Sequence, residues 1–272
     1  MKTNKKTVLA AGIALSIFLS ASVSFGKEEK LAYDGTRKVS AVLSGKKMSY
    51  KMPVDSQFYQ TMFNEPDYYC RTCSSVAERD SHMIDREDQK ERLVSLVNWI
   101  KKKKKRPDSQ ARIAVSLVQK IPYDTDWYLY GDSSGRGHGT RYPYEVLYDY
   151  KGICGQKSMF IVFLLKELGF GVATFTFIGD ELHQVPAIKC SPKYDFRDTG
   201  YCFIDPNYRH MITYSGSYKD SDPEVDIYAD GRTFDAKNDF KDGTKFRNAL
   251  NGGLKIKKNY KTYKKLVKKY GL

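Results

Sequence analysis

The stretch CGQKSMFIVFLLKELGFG, residues 154–171, constrains the fold more than any other. Phe160, Ile161, Phe163, Leu164, Leu165 and Leu168 make it apolar on most sides at helical spacing. That pattern predicts a helix buried at the centre of a domain, not one lying on a surface. Gly169 is its stop signal. Three strand candidates follow, at 172–178, 183–190 and 201–205, with a fourth at 210–214. The chain upstream is helical from Asp85, where Leu93, Leu96, Val97 and Ile100 recur at helical spacing as far as the basic run 101–106 and Pro107. Asp108 or Ser109 is expected to cap a second helix, with Ile113, Ala114, Leu117, Val118 and Ile121 on its buried face and Pro122 at its end. A tyrosine- and glycine-rich loop at 123–142 and a short helix at 143–150 complete this part. A loop of about 20 residues inside a compact domain is usually functional or mobile. Residues 27–76 read as an irregular segment with weak strand character at 39–43 and 48–52. The expected class is α+β.

Charge narrows the function classes. Lysine and arginine number 46 against 32 acids, a formal net charge of +14. Residues 1–26, the run 101–106 and residues 245–272 together hold 19 of the basic residues and no acid, leaving the rest of the chain at about −5. A globally basic nucleic-acid binder is not indicated, because the positive charge lies on appendages. The lysines at 101–106 oppose the negative end of a helix dipole and read as a solvated terminus. Residues 255–270 can form a helix with Tyr260, Tyr263, Val267 and Tyr270 on one side and lysines around the rest. Such a tail is expected to attract an anionic envelope polymer or acidic lipid, or else to dock through its tyrosines.

Residues 1–26 have the form of a targeting segment: Lys2, Lys5 and Lys6, an uncharged apolar stretch, then Ser24 and Gly26 as small residues before a cleavage site at Lys27. The alternative is an uncleaved N-terminal anchor. Either way the remainder is expected to be exported, as a secreted, periplasmic or cell-envelope protein. Five cysteines in such a chain is an odd count, so four can pair and one is left over. The expectation is two disulfides among Cys70, Cys73, Cys190 and Cys202, with Cys154 free. A redox role for the CRTC motif lacks a surrounding βαβ pattern, and the cysteine spacing does not suit zinc.

Cys154 opens the long buried helix after Gly152. A thiol there sees the positive end of the helix dipole, which favours the thiolate, and the free backbone N–H groups can hold an oxyanion. Such a nucleophile needs a base and an orienting partner. The histidines are His82, His138, His183 and His210. His183 begins a strand and Asp205 ends the next, giving nucleophile, base and orienter in chain order.

The run RYPYEVLYDYKGICGQKSMFIVFLLKELG, the strand start HQV, the strand end YCFIDPN and the helix ending QKIPYD resemble the transglutaminase-like superfamily. The resemblance covers about Arg86 to Asn207. It implies a papain-like fold, a helix carrying the nucleophile packed on an antiparallel sheet, with Cys154 as nucleophile, His183 as base and Asp205 as orienter. Neither Trp99 nor Trp127 aligns with the tryptophan that many members carry. The division expected is a leader at 1–26, an accessory segment at 27–84, a catalytic domain at 85–244 and a basic helical tail at 245–272. The implied chemistry is acyl transfer on peptide or protein amides through a thioester, with no metal or organic cofactor. Hydrolysis is expected over crosslinking, because water is the simplest acceptor. The alternative is a catalytically inactive module of this family that binds anionic envelope polymer.

Strand parity adds a test. If His183 and Asp205 face the site, Cys190 and Cys202 face away from it. Pairing His183 opposite Asp205 would set Cys202 opposite Pro186, four residues and roughly 13 Å from Cys190, beyond disulfide reach. Either the chain leaves the ladder before Cys190, or these cysteines pair with Cys70 and Cys73.

Overall fold

The computed structural model describes residues 33–65, 73–133, 135, 140–179 and 182–272, which belong to the unit Ala32–Leu272. The expected leader, Cys70, His138 and the turn residues Asp180 and Glu181 lie outside the described residues. The weak strands near the start are an antiparallel hairpin, β1 (Gly35–Leu43) and β2 (Lys46–Val54). Its two-residue turn, Ser44-Gly45, has positive φ at both positions, matching the twist of the strands it joins. Val39, Ala41, Met52 and Val54 are its buried residues facing the main core. Two helices follow that the sequence pattern missed: α1 (Ser56–Phe63), capped by Asp55, and α2 (Val76–Asp85), capped by Ser75.

Helix α3 (Glu87–Lys103) ends in the basic run, and all six residues of 101–106 are exposed. Pro107 opens α4 (Pro107–Gln119) rather than only closing α3, with Arg106 in place of Asp108 or Ser109 at the cap. Its missing N–H falls where the helix has no acceptor to offer. The expected loop at 123–142 contains α5 (Thr125–Tyr130), and α6 (Pro143–Asp149) follows it. The central helix is α7 (Cys154–Glu167), with an unbroken buried run from Gln156 to Leu165. It closes with Gly169 N–H on Lys166 O (2.8 Å) and Phe170 N–H on Leu165 O (3.1 Å). That double closure requires the left-handed φ of +82° at Gly169, which glycine adopts without strain.

Strands β3 (Val172–Phe177), β4 (His183–Lys189), β5 (Tyr201–Phe203) and β6 (Glu224–Ala229) form one antiparallel sheet in the order β5-β4-β3-β6. The fourth strand is therefore 224–229, not 210–214, which turns beside β5. A short 3-10 helix, Gly216–Asp220, leads into it. Helices α8 (Lys237–Asn251), missed by the sequence pattern, and α9 (Lys257–Tyr270) finish the chain. Among the described residues no helix is long and apolar enough to cross a membrane. The observed class is α+β with antiparallel sheets.

The two faces of the larger sheet differ. Val172, Ile188, Cys202 and Ile204 share a core with α7, α4 and α3. Phe175, Phe177, Val185, Phe196 and Phe203 form a separate aromatic cluster on the other face. The register corrects the expected pairing by two residues: Cys202 lies opposite Ile188, not Pro186. Cys190 and Cys202 then fall on a diagonal with Cα atoms 5.7 Å apart, and they are disulfide-bonded. Cys73 is disulfide-bonded as well.

Candidate active site

Cys154 is the first residue of α7, half-buried, with a free thiol. The turn before it is held by a short parallel pairing with the segment between α4 and α5: Gly152 N donates to Pro122 O (3.3 Å), and Asp124 N donates to Gly152 O (3.2 Å). Gln156 Oε1 accepts from Ile153 N (3.2 Å). The N–H groups of a helix's first turn have no acceptor within the helix, so those around Cys154 are available to an incoming oxygen.

Two contacts fix the start of α7 against β4. Ser158 Oγ lies 2.7 Å from Cys154 O and 3.0 Å from Gln184 O, and its single proton serves one at a time. A Cβ at Gly155 would come 3.0 Å from Gln184 Oε1, the end of a flexible side chain, so the helix and the strand approach closely here. Gln184 is next to His183, so the start of β4 runs beside the first turn of α7, with Gln184 on the side that meets the helix.

His183 is half-buried and opens β4 opposite Phe177. Its ring stacks on Tyr218 of the 3-10 helix, with centroids 4.8 Å apart and planes 15° from parallel. Directly paired residues share a face, so His183 belongs to the aromatic side while Gln184 faces α7. Asp205 follows β5, whose ladder continues through Ile204 N on Pro186 O (3.1 Å). Extended to Asp205, this register sets it diagonal to His183 on the same face. Asp205 Oδ1 accepts from Asn207 N (2.8 Å) and Tyr208 N (3.0 Å), and its carbonyl accepts from Gln119 Nε2 (2.8 Å).

Sequence reasoning missed two neighbours. Lys157, one turn from Cys154, is fully buried and donates from Nζ to Ile121 O (2.8 Å). Burial pushes its ammonium down to about 8; Asp205 and Cys154 oppose that shift and Arg209 adds to it. The signal was legible: a lysine one turn into the most apolar helix, ahead of its apolar run. His210 lies beyond Asp205. It is half-buried beside Tyr214 (4.7 Å between centroids), and its Nδ1 has no hydrogen-bond partner among the described residues. Burial lowers its pKa, with Asp205 pulling the other way.

Arg141 braces the surroundings. It donates to Asp124 Oδ2 and Asp149 Oδ2 (2.8 Å each) and to Gln156 Oε1 (3.2 Å), and its guanidinium lies 4.4 Å over the Trp127 ring. Burial alone would raise the Asp124 carboxyl, but the Trp127 N–H, Arg141 and Lys151 hold it below its usual value.

Cys73, Glu78 and His82 group within 4.8 Å, but the Cys73 sulfur is disulfide-bonded and offers no thiolate to an ion. A cavity of about 230 Å³ lies on the far side of Gln119 and His210, lined also by Arg112, Asp239 and Tyr270, and it does not include Cys154. No protein-family model and no curated protein matches the chain.

Proposed function

We propose that the chain is an exported cysteine acyl-transfer enzyme of transglutaminase-like, papain-like fold. It acts on amide bonds of peptides or proteins and passes the acyl group to water rather than to an amine. One observation carries this reading: a free thiol opens a buried helix whose first turn packs on the strand that begins with His183, and Asp205 follows the neighbouring strand on the same sheet face as His183. The Cys190–Cys202 disulfide supports an oxidising compartment.

In this reading the Cys154 thiolate attacks the amide carbonyl carbon, and the N–H groups at the start of α7 take up the charge on oxygen. Protonated His183 gives its proton to the leaving amine as the C–N bond breaks, leaving a thioester on Sγ. Water then attacks the thioester, its proton passing to His183, and the acid product departs as the thiolate re-forms. Asp205 orients the imidazole and supports its charge. The chemistry calls on no metal or organic cofactor.

The test is turnover of a glutamine-containing peptide. Ammonia release without amine incorporation is expected, and it should vanish in Cys154→Ala with circular dichroism unchanged. A folded Cys154→Ala protein with full turnover overturns the reading. A second reading, an inactive module holding an anionic envelope polymer or acidic lipid, is favoured by α9. That helix docks through Leu266, Tyr263 and Val267 and leaves lysines such as Lys258, Lys261 and Lys265 exposed. A Cys154 thiol that resists alkylation across pH in folded protein would select it.

A further inference from the structure

The cavity of about 230 Å³ lies where the end of β1, α4, the loop after Asp205, the start of α8 and the end of α9 meet. Hydrogen bonds pin its walls to one another. Val42 N donates to Ser116 Oγ (2.9 Å), joining β1 to α4. Gly45 N donates to Lys269 O (2.8 Å), joining the hairpin turn to α9. Asp235 N donates to Asp108 Oδ1 (3.1 Å) and Arg112 Nε to Asp239 Oδ2 (2.8 Å), joining α4 to α8 and the residues before it. Walls fixed in this way hold the cavity in shape before anything enters it. Its lining includes none of Cys154, His183 and Asp205.

The hydrogen-bonding capacity of the lining is only partly used. Arg112 gives both Nε and Nη2 to one oxygen of Asp239, Oδ2. The other, Oδ1, is buried with no hydrogen-bond partner among the described residues, in a residue that is 1% exposed. His210, which also lines the cavity, has its Nδ1 in the same state. An unpaired buried acceptor is costly, so the site favours an incoming donor. Donors are on offer as well: Arg112 Nη1 and the exposed Asn238 amide make no hydrogen bond among the described residues. Formal charge balances. Arg106, Arg112 and Lys269 line the cavity with Asp235 and Asp239, and Lys269 pairs with Asp242. Neither an anion nor a cation therefore meets an excess of the opposite charge. Val115 and Ile212, each 2% exposed, add apolar wall.

We propose that this cavity binds a neutral polyhydroxylated ligand, a single sugar ring. A hydroxyl donates and accepts at one atom, so neighbouring hydroxyls can give a proton to Asp239 Oδ1 while accepting from Arg112 Nη1 and Asn238. The C–H face of the ring lies on the wall of Val115 and Ile212. A polar cavity of this size holds water, and hydroxyls reproduce the hydrogen bonds of the water they displace. Saturation-transfer NMR on the full chain tests this, with D-glucose, D-galactose and N-acetyl-D-glucosamine as probes. At least one should take up saturation from the native protein and lose it in folded Val115→Phe, whose larger side chain occupies part of the cavity. Asn238→Ala removes one neutral hydrogen bond at an exposed position and should weaken binding about threefold. D-glucosamine and D-glucuronate, which bring an ammonium and a carboxylate, should bind no more tightly than D-glucose. Silence from all three neutral sugars, or binding unchanged in the variants, overturns the proposal. Tighter binding of either charged sugar overturns it as well. If Val115→Phe misfolds, Asn238→Ala decides alone. The acyl-transfer reading survives any of these failures, because the cavity holds none of its residues.

Discussion

Helices α7 and α9 are both 14 residues long and fare in opposite ways. Ten residues of α7 are buried, against Leu266 alone in α9. Both contain lysine. Lys157 has lost its water and answers with a hydrogen bond to Ile121 O and a lowered pKa. Lys258, Lys261 and Lys265 keep their water at the surface. Helix propensity does not separate the two segments; the amount of apolar surface does, because it decides which segment the rest of the chain must cover.

The largest effect that could break this contrast is catalytic. Cys154→Ala should abolish amide turnover, His183→Ala should be nearly as severe, and Asp205→Ala should leave residual activity, because it only orients the imidazole. The Cys154/His183 double variant should be little worse than either single variant, since residues acting as a unit are not additive. Steady-state kinetics on a glutamine-containing peptide would read this, and full activity in Asp205→Ala would remove it from the site.

Next comes packing. Leu164→Ala, at a fully buried position of α7, should cost about 2–5 kcal/mol in denaturant unfolding. Leu266→Ala in α9 should cost less, because its cluster is small and partly open. Equal losses would contradict the contrast between the helices.

Lys157 gives a pH signature. Its folded pKa of about 8 lies below the ordinary 10.5, so between these values the unfolded chain holds a proton that the folded chain has released. Stability from this group therefore rises with pH from about 8 to 10.5, by up to about 3 kcal/mol. Buried Tyr144 and Tyr228, whose pKa values are raised, act the other way above pH 10. The difference between native protein and Lys157→Met isolates the lysine, and a flat difference across that window would refute its depressed pKa.

The smallest effect on stability is on the outer face of α9. Lys258→Gln, Lys261→Gln and Lys265→Gln should each change stability by no more than about 0.5 kcal/mol. Together they should weaken binding to an anionic vesicle or polyphosphate, and that binding should fade with salt. These are cleaner variants than deleting the tail, which would uncover Met211 and Phe246.

The local structure around the candidate site was legible because its signals are local. A glycine turn before Cys154, an apolar helix after it, and His183 and Asp205 at strand ends each fall within one element. What failed was non-local or weakly patterned. Residues 210–214 look like a strand, yet β3 pairs instead with Glu224–Ala229, whose exposed residues lack a clear apolar alternation. Helix α8 is hard to see because its buried face includes Asp239, Asp242 and Gly243. The Asp239 carboxylate makes sense only once Arg112, far away in sequence, is beside it. The register between β4 and β5 could not be read from parity, because a slip of two residues leaves every side chain on its original face.

The sequence by itself determined that a central helix starts at Cys154 and stops at Gly169, and that strands follow it. Side-chain periodicity and turn chemistry act over a few residues and need no partner. Only the tertiary structure decided the two-residue register that bridges Cys190 to Cys202, the burial of Lys157 against Ile121, and the pairing of Arg112 with Asp239. Each joins residues from separate elements, and how such elements pack is settled by the apolar surface they bury together, which no local pattern records.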